Sequence, residues 1–358
     1  MIMMKVLTQS KLSSIGLDID AHEIRAVQLM KSGNNDRVVA WAIFPRMSLD
    51  QSIERTDMPD VDELRWASSI LARRGFVGQN VTISPSTSIC SSHVLELPPV
   101  ESGAPIKQIA RMEIARERKC APDDFELGFW SLPPKGKIQE SLAVACPKSH
   151  IESTLDLYEN AGLVVAGMDL MELAICRGGE ARVQTGEQNT AQEINTSLRI
   201  GWSSSLAILT LGEKVIYARR IEHGAASVWE VATKRFQLSP QGAEMILSGH
   251  SDDESAESRK AVIHASWSGL AKKITDELDI AVAYISHTFR MAPFGTLELS
   301  GYGASNPCVK QTLDQVLGIP ILTAGPAALL GKIQPAEQSW GISSRLSTAY
   351  GLAARFDR

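Results

Sequence analysis

The chain opens with apolar residues gathered into three strand-like segments, at 14–19, 24–30 and 37–45, separated by short polar turns. Runs of this length and composition predict strands. A helix is predicted next, because Asp60 and Glu63 have the spacing of a capping box and apolar residues then recur at helical intervals. The opening of the chain is therefore predicted to form three strands followed by a helix.

The rest of the first half alternates further strands with amphipathic helices. Pro105 is predicted to start one helix, since proline is favoured in the first helical turn. Ser149 and Glu152 form a second capping box, which predicts another helix packed on the neighbouring sheet. Strands are predicted at 80–86, 93–99, 125–132 and 141–147.

The second half repeats the opening theme after a polar, turn-rich stretch at 178–197, which we interpret as a boundary between lobes. Residues 197–221 predict strand, turn, strand, turn and strand, a weak internal duplication of the first 45 residues. Mixed strands and helices in both halves indicate an α/β protein of two lobes. The later predicted elements are a helix after Gly224, a second capped by Ser239 and Pro240, an acidic surface loop at 249–258, a long core-facing helix at 267–289, a strand ending in the glycine turn 301–303, a strand at 319–324 and a helix near 343–356.

Composition and charge exclude several classes of protein. The net charge of −5 and the scattered basic residues argue against a nucleic-acid partner. The five cysteines lie far apart, without a CxxC pair or zinc-type spacing, so we expect free thiols and no metal site. No segment approaches the ~18 uninterrupted apolar residues that a transmembrane helix needs. A protein of the cytoplasm is the prediction that remains.

Three turns that carry glycine or acidic residues follow one another along the chain: GLDIDAHEIRAVQL from residue 16, RIGWSSSLAIL from residue 199 and LELSGYGA from residue 297. This order resembles the actin-like ATPase superfamily, in which two hairpins face each other across a cleft and a glycine turn holds adenosine. The chain is similar over nearly its whole length to the PilM family, the actin-like cytoplasmic component of type IV pilus assembly and a relative of the division protein FtsA. The segments 94–129, 141–170 and 219–247 carry the likeness between the turns.

The resemblance implies an actin-like (ribonuclease H-like) two-lobed α/β fold with a small α/β subdomain inserted in the first lobe. The implied parts are a first-lobe core at 14–88, the inserted subdomain at 89–166, a first-lobe return and linker at 167–194, a second lobe at 195–340 with a helical subdomain at about 224–292, and a C-terminal helix at 341–358 that returns to the first lobe.

The resemblance also places a nucleotide site, and this chain departs from the family pattern there. Asp18 stands at the position of the acid that orients water on Mg²⁺, and Arg25 at a basic position. Asp20 replaces the glycine that lets a backbone nest approach phosphate, although Asp tolerates a left-handed turn. Ala21 and His22 complete the turn.

The second hairpin and the adenosine turn depart further. The second metal-organising acid has become Arg199, which cannot bind Mg²⁺ but is able to bind a phosphate or to pair with Asp18 across the cleft. ATP and Mg²⁺ are therefore expected to bind weakly or not at all, and hydrolysis is the activity most in doubt. The other residues that the resemblance places at the nucleotide are Gly201, Ser203, Ser204, Glu244, Gly301, Tyr302 and Gly303.

The function implied is a scaffold of a type IV pilus or type II secretion platform, peripheral at the inner face of the cytoplasmic membrane. Its implied partner is a bitopic, PilN-like protein, whose cytoplasmic N-terminal segment lies between the first lobe and the inserted subdomain. Two alternatives stay open: a sugar kinase using Asp169, and a filament-forming division protein. The residues predicted to contact the partner are Leu95, Leu97, Ile106 and Ile109.

Overall fold

The structure is a computed structural model. It describes residues 11–32, 35–47, 57–99, 102–133, 140–179, 193–235, 237–239, 243, 257–289, 292–326, 329, 332–333 and 341–355. The strands are β1 Lys11–Leu12, β2 Ile15–Ile19, β3 Glu23–Ser32, β4 Asn35–Pro45, β5 Asn80–Ile83, β6 Ser91–Glu96, β7 Phe125–Ser131, β8 Glu140–Pro147, β9 Val164–Met168, β10 Ile194–Ile200, β11 Ser205–Leu211, β12 Lys214–Ile221, β13 Phe294–Gly301 and β14 Ile321–Thr323. The helices are α1 Val61–Arg73, α2 Ile106–Arg118, α3 Lys148–Asn160, α4 Met171–Gly178, α5 Ala226–Glu230 with a π-helical turn Val231–Arg235, α6 Glu257–Thr288, α7 Pro307–Leu317, α8 Ile342–Arg345 and α9 Ser347–Ala353.

Two sheets share one topology. In the first, the antiparallel strands β4, β3 and β2 are followed by the parallel strands β5 and β9, and the short β1 also pairs with β3. In the second, antiparallel β12, β11 and β10 are followed by parallel β13 and β14. The weak internal duplication predicted from the sequence is therefore confirmed as a repeated arrangement of five strands.

A third, smaller sheet forms the inserted subdomain. Its strand order is β6–β8–β7, entirely antiparallel. Helix α2 covers one face, where apolar residues of the helix and the sheet form a separate core. The subdomain also contacts the second lobe, since the indole N–H of Trp130 donates to the carbonyl of Val215 at 2.8 Å.

The C-terminal helix α9 is packed tightly between β2 and α4. A Cβ added at Gly16 of β2 would lie 2.0 Å from the carbonyl oxygen of Ala349, and one added at Gly351 would lie 1.8 Å from that of Ala174. Only glycine permits backbones to approach this closely. The helix thereby returns to the first lobe and presents Thr348 toward the second.

Three local predictions need correction. The Ser149–Glu152 capping box does not form, because α3 already begins at Lys148 directly after Pro147 and has no side-chain cap. The long helix starts at Glu257 and not at 267, and Ile263 of its added turns is buried against the second-lobe core. The last predicted helix is two short helices, α8 and α9.

Other predictions are confirmed by named contacts. The Asp60 side chain caps α1 by accepting from the N–H of Glu63 at 2.8 Å, as the first capping box predicted. Most of the acidic loop at 249–258 and most of the helix expected after Ser239 lie outside the described residues. Within the described part of the chain, none of the helices is long and apolar enough to cross a membrane.

Candidate functional site

The turn of the first hairpin binds carboxylates of its own chain. Asp20 follows β2, and its Oδ1 accepts from the backbone N–H groups of His22, at 2.8 Å, and Glu23, at 3.0 Å. The N–H of Ala21 donates to Oδ1 of Asp57 at 3.1 Å. Short acidic side chains favour such local bonds to the backbone. Three successive N–H groups, the kind of nest that binds phosphate oxygens, are therefore already bonded.

The turn does not use the left-handed conformation that the sequence suggested for Asp20. Among the described residues other than glycine, positive φ occurs at Lys119 and Gln237. The carboxylate hydrogen bonds of Asp20 fold the turn instead, because they hold the two following N–H groups on one side. With Asp20 in place of the family's glycine, the turn is therefore held by hydrogen bonds to the Asp20 carboxylate.

Arg25 lies beneath this turn as the central cation of a buried ion network. Its register partner across the β2–β3 ladder is Asp18, whose Oδ2 accepts from Nη1 at 3.0 Å. Its Nη2 donates to Oδ2 of Asp20 at 2.5 Å and to the hydroxyl of Tyr302 at 2.7 Å. Arg25 is only 1% exposed, so these charge-assisted bonds are shielded from water and stronger than at a surface.

Arg199 joins the two lobes. It projects from β10 of the second sheet, and its Nη2 donates to both carboxylate oxygens of Asp18 in the first sheet, at 3.0 and 3.3 Å. Its Nε donates to the hydroxyl of Thr348 at 3.1 Å. Of the two roles open to Arg199 on the sequence, the pairing with Asp18 across the cleft is the one that the structure confirms.

A second ion pair lies beside the first. The carboxylate of Glu23 pairs with Arg345 of α8 and has one oxygen 3.2 Å from Nη2 of Arg25. The network thus contains three carboxylates and three guanidinium groups, whose formal charges cancel. A triphosphate entering here would add several negative charges to a set that is already neutral. The six residues are Asp18, Asp20, Glu23, Arg25, Arg199 and Arg345.

Aromatic side chains close the cleft above the ion network. The imidazole of His22, on the first hairpin, stacks on the indole of Trp202, on the second, with centroids 3.9 Å apart and planes 4° apart. Trp229 meets both rings edge-on, and Tyr302 lies 5.5 Å from Trp202. Because Trp202 follows Gly201, the hairpin that would face the phosphates supplies an apolar contact between the lobes.

The glycine turn after β13 is also occupied by the chain. Gly301 has φ +83°, and an added Cβ would lie 2.2 Å from the carbonyl oxygen of Ile200. Gly303 has φ +66°, and its Cβ would lie 2.5 Å from the indole of Trp267. Tyr302 between them points its hydroxyl at Arg25 and Asp20. The turn where the resemblance places adenosine is therefore packed against α6 and the ion network.

The electrostatics follow the geometry. Burial alone would raise the pKa of Asp20, but Arg25 and Arg199 hold that pKa below its ordinary range. Burial likewise opposes the charge of Arg25, yet its contacts, Asp20 first, keep the guanidinium pKa well above its ordinary value. Asp57 differs, because burial and then the charge of Asp20 raise the pKa of its carboxyl. The guanidinium of Arg25 thus stabilises the charged form of Asp20, whereas the neighbouring Asp57, outside the network, is the less favourably placed acid.

ATP with Mg²⁺ does not fit these residues. The turn N–H groups are bonded to carboxylates, Asp18 is paired with Arg25 and Arg199, and no acid stands at the position of Arg199. The cavity beside the two hairpins measures about 60 Å³, far below the roughly 300–1,000 Å³ of small-molecule pockets. Nor does the described part of the chain bring together three His, Cys, Asp or Glu side chains able to hold a metal ion.

The remaining predicted residues lie in different places. Ser203 and Ser204 line the small cavity, and the hydroxyl of Ser204 also accepts from Arg220 at 3.1 Å. Glu244 lies outside the described residues. The kinase candidate Asp169 pairs with Arg177 instead of facing the cleft cavity.

The predicted partner residues belong to the inserted subdomain. Leu95 and Leu97 are buried in its core, while Ile106 and Ile109 are half-buried on α2 against the same core. Their contact with a partner stays a prediction.

Several residues of the site were missed by the sequence reasoning. Glu23, Asp57, Trp202, Trp229 and Arg345 are brought in from four distant parts of the chain. The family pattern assigns none of them a role, and no local spacing links them. The one usable signal was Trp202, a large apolar residue in a turn of otherwise small ones.

A protein family and several solved structures are similar to this chain. The family model for type IV pilus assembly protein PilM matches residues 16–356. A solved PilM-PilN type IV pilus biogenesis complex is similar over 95% of this chain and 97% of that chain, with TM-score 0.73 and 19% identity. The ethanolamine utilization protein EutJ from Carboxydothermus hydrogenoformans is similar over 96% and 89%, with TM-score 0.51 and 13% identity. MreB 5 of Spiroplasma citri bound to AMPPNP is similar over 96% of this chain and 95% of that chain, with TM-score 0.48 and 10% identity. No protein of curated function matches the chain.

The fold and the paired hairpins define an actin-like protein, as the sequence predicted. The family match extends over nearly the whole chain. The chain belongs to the PilM family of type IV pilus assembly proteins.

Proposed function

We propose that this protein is a scaffold of a type IV pilus or type II secretion platform at the inner face of the cytoplasmic membrane. It binds the cytoplasmic N-terminal segment of a bitopic, PilN-like membrane protein, and its ATP hydrolysis is weak or lost. The observation that carries the loss of hydrolysis is the first hairpin turn, whose N–H groups bond to Asp20 and Asp57. Family membership and the likeness to a PilM-PilN complex support the partner.

The ion network explains how such a scaffold stays closed without nucleotide. In an ATP-binding protein of this architecture, phosphates and metal would supply charge between the two hairpins. Here Asp18 supplies the negative charge from the first sheet and Arg199 the positive charge from the second, at 3.0 Å. Both side chains are at least nine-tenths buried, so the pair is shielded from salt. The chain's own charges therefore hold the two lobes together where nucleotide and metal would otherwise act.

A groove between the three-stranded sheet of the inserted subdomain and the start of α3 is the docking surface we propose. Its volume is about 440 Å³, and it is lined by the end of α2, the start of β7 and the start of α3. The sequence analysis expected the partner between the first lobe and the inserted subdomain, at four apolar residues that do not line this groove: Leu95, Leu97, Ile106 and Ile109. Charged residues of both signs lie along it, which suits a polar peptide backbone flanked by charges. They are Arg118, Asp123, Asp124, Lys148 and Glu152.

Titration of the labelled N-terminal segment of the PilN-like partner tests this surface. Lys148→Glu reverses one charge on an exposed groove wall, and we expect at least a tenfold loss of affinity, equivalent to about 1.4 kcal/mol. Lys214→Glu makes the same change on exposed β12 of the second lobe and should leave the affinity unchanged. Equal affinities of the two folded variants would move the docking surface elsewhere; no binding by the unmodified protein would overturn the proposed partner.

A further inference from the structure

Two of the five cysteines lie together at the neck of the inserted subdomain. In the β6–β8 ladder Ser91 is opposite Ala145 and Ser92 opposite Val144; the same register, continued one residue beyond the end of the ladder, places Cys90 opposite Cys146. Residues directly opposite in an antiparallel pair have Cα atoms roughly 4.5–5.5 Å apart, within the 4.4–6.8 Å that a disulfide spans. Both cysteines are free thiols, close enough to hydrogen-bond each other.

The position of this pair in the chain is as important as its geometry. Cys90 is the last residue before β6, where the chain enters the three-stranded sheet, and Cys146 is near the end of β8, where the chain leaves that sheet. Residues 84–87 on the entry side line the small cavity between the lobes, and so do His150 and Thr154 of α3 on the exit side. A bond between the two sulfurs would link the segment that enters the three-stranded sheet to the segment that leaves it.

The surroundings shift the pKa values of the two thiols in opposite directions. The hydrogen bond with Cys90, and the charge of Arg118, lower the pKa of Cys146 despite its burial. The same hydrogen bond, with burial and the charge of Glu172, raises the pKa of Cys90. Cys146 therefore has the larger thiolate fraction, and the thiolate is the reactive form. Cys90 is the more exposed of the two and remains a thiol beside it.

We propose that Cys90 and Cys146 are a reversible redox pair, oxidised by a peroxide to a disulfide that ties the entry of the three-stranded sheet to its exit. The Cys146 thiolate attacks one oxygen of the peroxide O–O bond, which breaks to give a sulfenic acid and hydroxide, and a proton converts the hydroxide to water. The Cys90 sulfur then attacks the sulfenic sulfur, forms the S–S bond and displaces a second water. The two sulfurs lose two electrons, and the peroxide gains them. A dithiol reductant reverses the change by exchange.

The test oxidises the full-length, reduced protein with graded hydrogen peroxide and follows all five thiols by mass spectrometry of unreduced peptides. We expect Cys90 and Cys146 to disappear together into one linked peptide before the other cysteines react, because the thiolate is the reactive form and the second thiol lies beside it. Dithiothreitol should restore both thiols. The three internal controls are Cys120, Cys176 and Cys308.

A variant separates the pair from a single reactive thiol. In Cys90→Ser the second thiol is missing, so Cys146 should stop at the sulfenic acid and be trapped by dimedone, whereas Cys308→Ser should behave as the unmodified protein. Oxidation of all five cysteines at one rate, linkage of Cys90 to another cysteine, or an unlinked pair in the unmodified protein would each overturn the proposal.

Discussion

Removing the guanidinium of Arg199 tests whether the buried ion pair holds the lobes together. Arg199→Met keeps an unbranched chain of similar length but deletes the donors to both oxygens of Asp18 and to Thr348. Loss of one partner from a buried ion pair costs about 3–5 kcal/mol, because the other charge stays buried without compensation. Asp18 still has Arg25 at 3.0 Å. We therefore expect a smaller loss, at or just below the bottom of that range, of about 2–3 kcal/mol of unfolding free energy.

Two further variants provide a scale for the loss of unfolding free energy expected in Arg199→Met. Arg25→Met removes the ion pair with Asp20 and one of the two that Asp18 makes within the described part of the chain, so its cost should reach about 4–5 kcal/mol. Arg116→Met deletes the exposed ion pair with Glu113, whose side chains are 79% and 39% exposed. An exposed pair of this kind contributes no more than about 0.5 kcal/mol. The expected order of cost is Arg25, Arg199, Arg116.

Urea unfolding followed by tryptophan fluorescence is the assay. Trp202 and Trp229 lie in the aromatic contact between the lobes, so their emission follows opening of the cleft. The free energy of unfolding is obtained from the midpoint and the slope for each variant. If Arg199→Met were no more destabilising than Arg116→Met, the pairing of Arg199 with Asp18 would not hold the lobes together.

Three further predictions concern nucleotide and pH. Steady-state ATP hydrolysis with Mg²⁺ or Mn²⁺ should stay at background, because the turn N–H groups are bonded and Arg199 replaces an acid; turnover that disappears on Asp18→Ala would contradict this. Asp20→Gly combined with Arg199→Asp should tighten binding of nucleotide with Mg²⁺ by on the order of 1 kcal/mol, since it frees two turn N–H groups for phosphate and restores an acid that is able to organise the metal; unchanged affinity in the folded double variant would show that the aromatic contact closes the site by itself. Stability should fall as the pH drops through about 4 toward the lowered pKa of Asp20, because a carboxyl with a depressed pKa stabilises the fold above its ordinary pKa and loses that contribution on protonation. Acid unfolding of Asp20→Asn should lack that part of the pH dependence, and an identical profile would assign the effect to other acids.

Local patterns in the sequence predicted most of the elements. Apolar runs located the strands of the two larger sheets except β1 and β9, and the Asp60–Glu63 spacing located the start of α1 with its side-chain cap. The same capping pattern failed at Ser149, because the helix already begins after Pro147, two residues earlier. The first turns of α6 were missed because an acidic tract precedes them, although Ile263 is buried one helical turn before Trp267.

The site could be predicted only where family positions marked it. Asp18, Arg25 and Arg199 were placed correctly in the cleft, since they occupy motif positions in the two hairpins. Glu23 and Arg345 pair across more than three hundred residues of sequence, and no local spacing specifies which acid a distant arginine will meet. Which groups occupy the cleft is decided by the packing of the lobes, and that information is not present in any single segment.

The central claim is that the chain's own charges do what nucleotide would otherwise do, so that partner binding needs no ATP. The direct test is the affinity of the full-length protein for the N-terminal segment of its PilN-like partner, measured with and without millimolar Mg²⁺ and ATP. Our account predicts the same affinity in both conditions, and a tenfold or greater tightening with ATP would contradict it.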